Sequence, residues 1–236
     1  MAAGMHLLAV AACLMAASML LRLVVAIGWG GVAMAFSCYG LIATFVVLDL
    51  ARHAPHQRFG VANSVTLTRA AVTALLWGVV GETVLGGGDL TSGLRWLLAI
   101  AAAAALLLDG VDGWLARRSG MASDFGADFD LEVDTLFVLA LSLLVYGTGV
   151  GIWVLASGLM RYGFVLVGWV SPTFAAPLLP LRRRKVICAV QGAVLVATLA
   201  PILPVEVASA LCLVGLALLT YSFAADVLWL SKAKRG

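Results

Sequence analysis

Charged residues are scarce in this chain of 236 residues, since Asp, Glu, Lys and Arg make up only 11% of it. A soluble domain carries about 25% charged residues. Hydrophobic residues make up 63% of the chain, and they form runs longer than the roughly 18 residues that a membrane-spanning helix needs. The composition therefore excludes a soluble globular domain and indicates an integral membrane protein.

Closely spaced cysteine pairs are also missing. Cys13, Cys38, Cys188 and Cys212 lie singly in apolar runs, a pattern that indicates neither a disulfide framework nor a zinc site. The segment 10–13, VAAC, resembles the small-residue run before a lipidated cysteine, but no Lys or Arg precedes it and the apolar stretch before it is short. We therefore expect a retained helix rather than a cleaved signal peptide.

Eight apolar segments predict eight transmembrane helices and hence an all-α, multi-pass membrane bundle without a soluble domain. Their predicted bounds are 5–27, 32–51, 66–86, 95–117, 127–147, 151–171, 186–203 and 207–230. Segments rich in Gly or Pro separate several helices and should emerge on one side of the membrane. These segments are 28–31, 81–93, 146–151 and 201–206.

Basic residues divide unequally between the two predicted faces. Arg22 and Arg95 lie near the face of the Gly-rich loops, and twelve Lys and Arg residues lie near the other. The twelve are Arg52, Arg58, Arg69, Arg117, Arg118, Arg182, Arg183, Arg184, Lys185, Lys232, Lys234 and Arg235. This asymmetry assigns the basic face to the cytoplasm of a bacterial inner membrane, with both termini inside. The net charge of +3 then favours contact with anionic lipid and not with nucleic acid.

Four aspartates repeat at helical spacing on two neighbouring predicted helices. Asp109 and Asp112 lie three residues apart, and Asp130 and Asp134 lie four apart, so each pair shares a helix face. Like charges at low dielectric repel each other, so something positive must lie between them. Oxygen ligands without His or Cys suit Mg²⁺ or Mn²⁺, and shared carboxylates could hold two ions.

The alternative for any of these acidic residues is a solvated loop. We expect that environment for Asp124, Asp128 and Glu132, which lie off the helical register of the four aspartates.

Small residues accompany the carboxylates. Gly113 lies one turn past Asp109, and Ala116 lies one turn past Asp112, so a ligand or a neighbouring backbone could approach this face closely. Arg117 could donate a forked pair of hydrogen bonds to a phosphate, or it could simply reach the membrane surface.

The whole pattern resembles the CDP-alcohol phosphatidyltransferase family. The family pattern D-x2-D-G-x2-A-R-x8-G-x3-D-x3-D is filled at all eight fixed positions, from Asp109 through Gly126 to Asp134. Upstream, VANSVTLTRA at 61–70 resembles the family's P-N-x-x-T-x-x-R, with Ala62 in place of Pro. From the residues alone, Asn63 is an acceptable N-cap, and Thr66 and Arg69 form an ordinary interfacial turn.

The resemblance implies a six-helix catalytic core at 60–236, preceded by two additional transmembrane helices at 1–59. It implies transfer of a phosphatidyl group from CDP-diacylglycerol or another CDP-alcohol to a small alcohol, with release of CMP. Two Mg²⁺ or Mn²⁺ ions would be held by Asp109, Asp112, Asp130 and Asp134, with Asp134 as general base. The residues implied for CDP binding are Asn63, Thr66, Gly113, Ala116, Arg117 and Gly126.

The acceptor is less clearly indicated. Arg161 lies in the middle of an apolar run and should face the bundle interior, either to bind an acceptor or to pair with an Asp or a carbonyl group. With Arg184 and Lys185 it could bind a phosphorylated acceptor such as glycerol 3-phosphate. Serine or another small alcohol would need no such cluster.

Two other functions are compatible with intramembrane aspartates. A divalent-cation carrier would distribute acidic residues across the membrane, whereas here they gather at one interface. An inactive relative would be expected to lack one of the aspartates, and all are present. We expect an enzyme, and the resemblance favours a homodimer.

Overall fold

The structure, a computed structural model, describes residues 2–25, 27–53, 59–119, 123–170 and 182–233. Side chains are described in these ranges except at 2, 111–119, 164, 165, 167–170, 182–185, 226 and 228–233. The described secondary structure is helical, which confirms the all-α class. The main helices are α1 (Ala2–Val25), α2 (Trp29–Asp49), α3 (Val61–Val80), α4 (Ser92–Ser119), α5 (Asp124–Tyr146), α6 (Leu155–Val170), α7 (Arg182–Leu199) and α8 (Val205–Ala233).

Five helices in the described part of the chain are long and apolar enough to cross a membrane, where the sequence predicted eight. The five segments are Ala3–Val25, Trp29–His53, Val61–Leu85, Ser92–Gly110 and Val205–Ala225. For the other three, the described residues give a different picture: the first half of α5 carries Asp130, Glu132 and Asp134, the described part of α6 has 16 residues, and the described part of α7 begins with a basic run. The result is still a multi-pass helical membrane bundle.

Helix α3 lies at the centre, where it packs against α1, α2, α4 and α5. Gly31 and Gly78 let α2 approach α3 closely, because a Cβ atom on Gly78 would lie 2.9 Å from the Gly31 carbonyl oxygen. Close approach through small residues is the usual way to gain packing energy between membrane helices. The Trp77 indole donates a hydrogen bond to the Leu136 carbonyl oxygen at 3.1 Å, which joins α3 to α5.

Loops that the sequence predicted on one side of the bundle do meet there. The Gly28 amide donates to Glu82 at 2.8 Å, which links the α1–α2 loop to the segment after α3. A Cβ atom on Gly147, at the end of α5, would lie 2.8 Å from the Leu90 side chain in the α3–α4 loop. The start of α3, the start of α5 and Asp109 on α4 lie at the opposite end, here called the site end.

Helix α5 begins at Asp124, three residues before the predicted start. Ser123 is its N-cap, because the Ser123 hydroxyl accepts a hydrogen bond from the Gly126 amide at 3.1 Å. Ser is among the residues preferred at this position. Asp124 then lies in the first turn, where its negative charge is favoured by the helix dipole. The expectation of a loop at Asp124, Asp128 and Glu132 is therefore wrong.

Candidate active site

Three aspartates converge at the site end. Asp109 comes from α4, and Asp130 and Asp134 come from successive turns of α5. Each offers a carboxylate oxygen that lies within 4.8 Å of those of the other two. Their side chains are between one-third and two-fifths exposed, so a ligand could reach them. The helical spacing on α5 and the packing of α3 against both α4 and α5 explain this convergence.

Arg69 from α3 lies among the three carboxylates. Its guanidinium group pairs with Asp109 at 3.0 Å and also with Asp130 and Asp134. The Arg69 side chain is only 3% exposed, so these pairs are screened far less by solvent than a surface salt bridge. One planar guanidinium thus joins three helices through charged hydrogen bonds.

The donor set fits a divalent cation. Three carboxylates surround one guanidinium, so two negative charges in this described cluster are not balanced by Arg69. Carboxylate oxygens are the ligands that Mg²⁺ and Mn²⁺ prefer. Hard cations would also reduce the repulsion between the aspartates.

On α4, nothing is described beyond the backbone at four predicted site residues: Asp112, Gly113, Ala116 and Arg117. The backbone of α4 remains helical from Asp109 to Ser119. Asp112 is therefore one turn beyond Asp109 on the same helix face, as the spacing predicted.

Asn63 and Gly126 come together although they are far apart in the sequence. A Cβ atom on Gly126 would lie 3.0 Å from the Asn63 side-chain oxygen, so any other residue here would require the Asn63 side chain to shift. Asn63 is not the N-cap, because α3 begins at Val61 and Gly60 caps it. Instead, the Asn63 amide group donates to the Phe59 carbonyl oxygen at 2.6 Å.

Thr66 lies one turn further along α3, and it is buried. Its hydroxyl donates to the Ala62 carbonyl oxygen at 3.2 Å. Ala62 occupies the position where the family has Pro, and a proline carbonyl could accept the same bond. Thr66 therefore lies on the helix that carries Arg69, three residues away.

Arg161 on α6 is engaged with α5. Its guanidinium donates to Glu132 at 2.7 Å, to the Leu131 carbonyl oxygen and to the Thr135 hydroxyl. This is the internal pairing that the sequence left open beside acceptor binding. Residues 131, 132 and 135 lie on a different face of α5 from Asp130 and Asp134.

Three other charged residues near the site were considered from the sequence: Asp128, Arg184 and Lys185. Asp128 is paired with Arg52 at 2.8 Å, and both side chains are exposed. Arg184 and Lys185 are in the first turn of α7, but their side chains lie outside the described residues.

Comparison with known proteins decides the family. The family model of CDP-alcohol phosphatidyltransferase matches residues 59–224, which is well over half of the chain. The chain belongs to the CDP-alcohol phosphatidyltransferase family. No match was found among curated proteins or among solved structures. Membership means that the chain is a transferase of substituted phosphate groups that acts on a CDP-alcohol donor and an alcohol acceptor in a membrane. Members of the family generally use a divalent metal.

Two contacts in this phosphatidyltransferase were missed by sequence reasoning. Arg69 was assigned to an interfacial turn, because its described partners Asp109, Asp130 and Asp134 lie 40 to 65 positions away and no local spacing connects them. His53 is buried, and its Nδ1 atom lies 2.7 Å from the Ser123 hydroxyl. The only available signal was a histidine placed just after a predicted membrane helix, and that signal is weak.

Proposed function

We propose that this protein transfers the phosphatidyl group of CDP-diacylglycerol, or of another CDP-alcohol, to a small alcohol and releases CMP. The observation that carries this proposal is the convergence of Asp109, Asp130 and Asp134 around Arg69, at the same end of the bundle as Asn63 and Gly126. We place this end at the membrane surface, near the ends of the apolar segments Val61–Leu85 and Ser92–Gly110, where a membrane-held donor and a soluble acceptor would meet.

In the proposed reaction, the acceptor hydroxyl oxygen forms a bond to the lipid-side phosphorus of the donor. The bond between that phosphorus and the bridging oxygen breaks, and CMP leaves with the electron pair. Asp134 takes the hydroxyl proton on a carboxylate oxygen, as a general base must. Arg69 holds Asp134 and Asp130 in place through its two terminal nitrogens.

The proposed metal ligands are Asp109, Asp112, Asp130 and Asp134. Mg²⁺ or Mn²⁺ ions bound there would neutralise the diphosphate and stabilise the charge that develops on CMP. The clustered carboxylate oxygens and the negative charge that Arg69 leaves unbalanced support this assignment.

The proposed site for the CDP group combines the starts of α3 and α5 with the end of α4. It consists of Asn63, Thr66, Gly113, Ala116, Arg117 and Gly126. The close contact between Asn63 and Gly126 supports it, because it brings the starts of α3 and α5 together at this end of the bundle. Arg117 is assigned to the diphosphate from the family pattern.

We propose glycerol 3-phosphate as the acceptor. Arg184 and Lys185, from the basic run at the start of α7, would bind its phosphate group. Arg161 would join them only if it exchanged Glu132 for a phosphate group. The alternative acceptor is serine or another small alcohol, which would bind without these cations.

The site end is proposed to face the cytoplasm of a bacterial inner membrane. The excess of Lys and Arg in the loops at this end supports the orientation. CMP would then be released into the compartment from which soluble acceptors arrive.

The deciding experiment is to incubate the purified protein with CDP-diacylglycerol, Mg²⁺ or Mn²⁺ and a panel of alcohols, and to follow CMP release. Turnover with glycerol 3-phosphate and not with serine supports the full proposal, whereas the reverse result overturns the acceptor assignment. Metal-ion flux across vesicles without CMP formation would support a carrier and overturn the proposal.

A further inference from the structure

The short 3₁₀ helix Leu50–His53, which follows α2, touches the first turns of α5. We propose that His53 is a positioning residue for phosphatidyl transfer, which acts through Ser123 to fix the first turn of α5 and thereby the placement of Asp130 and Asp134. His53 precedes the segment 59–224 that matches the family model, so the family pattern does not include it. The inference rests on the proposed role of the two aspartates.

The contact between His53 and Ser123 joins a buried ring to a half-buried hydroxyl. His53 is 3% exposed, and its Nδ1 atom lies 2.7 Å from the Ser123 hydroxyl oxygen. The same hydroxyl accepts a hydrogen bond from the Gly126 amide. A serine hydroxyl has one donor and two acceptor positions, so it can serve the histidine and the helix cap together. The His53 ring also meets Phe125 edge-on, with ring centroids 5.6 Å apart.

The first turns of α5 carry two adjacent rows of side chains, and within each row successive residues are four positions apart. Phe125, Phe129 and Val133 form the first, and all three are fully buried in a cluster with side chains of α1, α2 and α3. The second row is one residue further along and contains Asp130 and Asp134. Because both rows belong to one rigid helix, whatever fixes the rotation and height of the first fixes those of the second.

A neighbouring contact is a weaker candidate for the same role. Arg52 pairs with Asp128 on α5, but these side chains are 51% and 43% exposed. Solvent and salt screen such exposed pairs, and many contribute nothing measurable. The His53 side chain is buried, and a buried polar group that loses its hydrogen bond carries a desolvation cost, so His53 should matter more than Arg52.

Two variants separate hydrogen bonding from packing. His53→Phe keeps an aromatic ring beside Phe125 but loses the bond to Ser123. His53→Asn loses the ring but keeps a polar atom three bonds from Cα, which is the same separation as that of the histidine Nδ1 atom. His53→Gln places its polar atoms one bond further and serves as the matched control, and Arg52→Gln controls for the exposed pair.

The experiment measures kcat and KM for CDP-diacylglycerol by CMP release, together with the thermal unfolding of each purified variant. Misplacement of reacting groups by about 1 Å can cost about 100-fold in rate. We therefore expect His53→Phe to lower kcat about 10- to 100-fold at an almost unchanged donor KM. His53→Asn should recover most of this loss, His53→Gln should recover less, and Arg52→Gln should resemble the wild type.

Several results would overturn the inference. One is a kcat of His53→Phe equal to that of the wild type. Another is equal activity of His53→Asn and His53→Gln. This second comparison still tests the inference if His53→Phe does not fold. Turnover by the wild type separates failure of this inference from failure of the proposed function. If the wild type releases CMP and the His53 variants all have the same activity, only this inference fails. If the wild type releases no CMP with any acceptor, the proposed function fails and the inference falls with it.

Discussion

Arg69 on α3 and Asp134 on α5 form a direct ion pair across 65 positions of sequence. The same guanidinium reaches Asp109 on α4 and Asp130 on α5. The site is therefore held together by one buried cation that belongs to none of the helices bearing the aspartates. Its loss would affect both the fold and the chemistry.

Replacement of Arg69 should reveal this double role. Arg69→Gln leaves three carboxylates without their shared partner, and we expect it to destabilise the protein by roughly 3 kcal/mol and to abolish CMP release. Arg69→Lys keeps the charge but cannot reach several carboxylates with a planar fork, so it should recover stability more than activity. Thermal unfolding in detergent and the CMP assay check this. An Arg69→Gln protein with unchanged unfolding and turnover would contradict it.

The approach of α5 to α3 at Gly126 can be tested by adding one methyl group. In Gly126→Ala the new Cβ would lie 3.0 Å from the Asn63 side-chain oxygen, and crowding of this kind costs about 1–3 kcal/mol. We expect a higher KM for the CDP-alcohol and a lower unfolding temperature. Gly40→Ala on α2 is the matched control, because a Cβ there meets nothing within 4 Å. Equal effects of the two substitutions would show that the contact is unimportant.

Metal removal should affect stability as well as turnover. A ligand that binds the folded state alone stabilises it by about 2.7 kcal/mol at 100 times its dissociation constant. We expect Mg²⁺ or Mn²⁺ to raise the unfolding temperature of the wild type but much less that of Asp130→Asn, and a chelator to stop CMP release. Turnover that persists in excess chelator, or an identical shift in Asp130→Asn, would refute the assignment of ligands.

The pair formed by Arg161 and Glu132 distinguishes two roles of Arg161. If Arg161 mainly holds α5, then Arg161→Gln and Glu132→Gln should have similar effects, and the double variant should be no worse than either single one. This is the outcome that the contacts favour. A rise in KM for glycerol 3-phosphate in Arg161→Gln, without a change in Glu132→Gln, would instead assign Arg161 to the acceptor. Steady-state kinetics of the three variants provides the answer.

Local spacing predicted much of this molecule. The apolar runs gave the helical class, and the intervals between Asp130 and Asp134 placed both on one face of α5, where they lie together. The motif also indicated the correct family. The spacing of the aspartates on each helix concerns residues within one or two turns, where the helix itself fixes the geometry.

Contacts between distant segments could not be predicted in the same way. Asn63 was read as an N-cap because Asn favours that position, but the helix already begins at Val61 and the side chain turns back to Phe59. The start of α5 was placed three residues too late because its acidic residues resemble a solvated loop, although Ser123 caps the helix just before them. The distant partners were a separate omission: no local spacing connects Arg52 with Asp128 or Arg161 with Glu132.

The central claim is that the aspartate cluster performs phosphatidyl transfer, and Asp134→Asn tests it most directly. The substitution keeps the shape of the side chain and removes the charge and the base. With CDP-diacylglycerol, divalent metal and the best acceptor of the panel, we expect CMP release to fall at least about 100-fold, as for loss of a general base, in a protein that still folds. Wild-type CMP release by a folded Asp134→Asn protein would contradict the account.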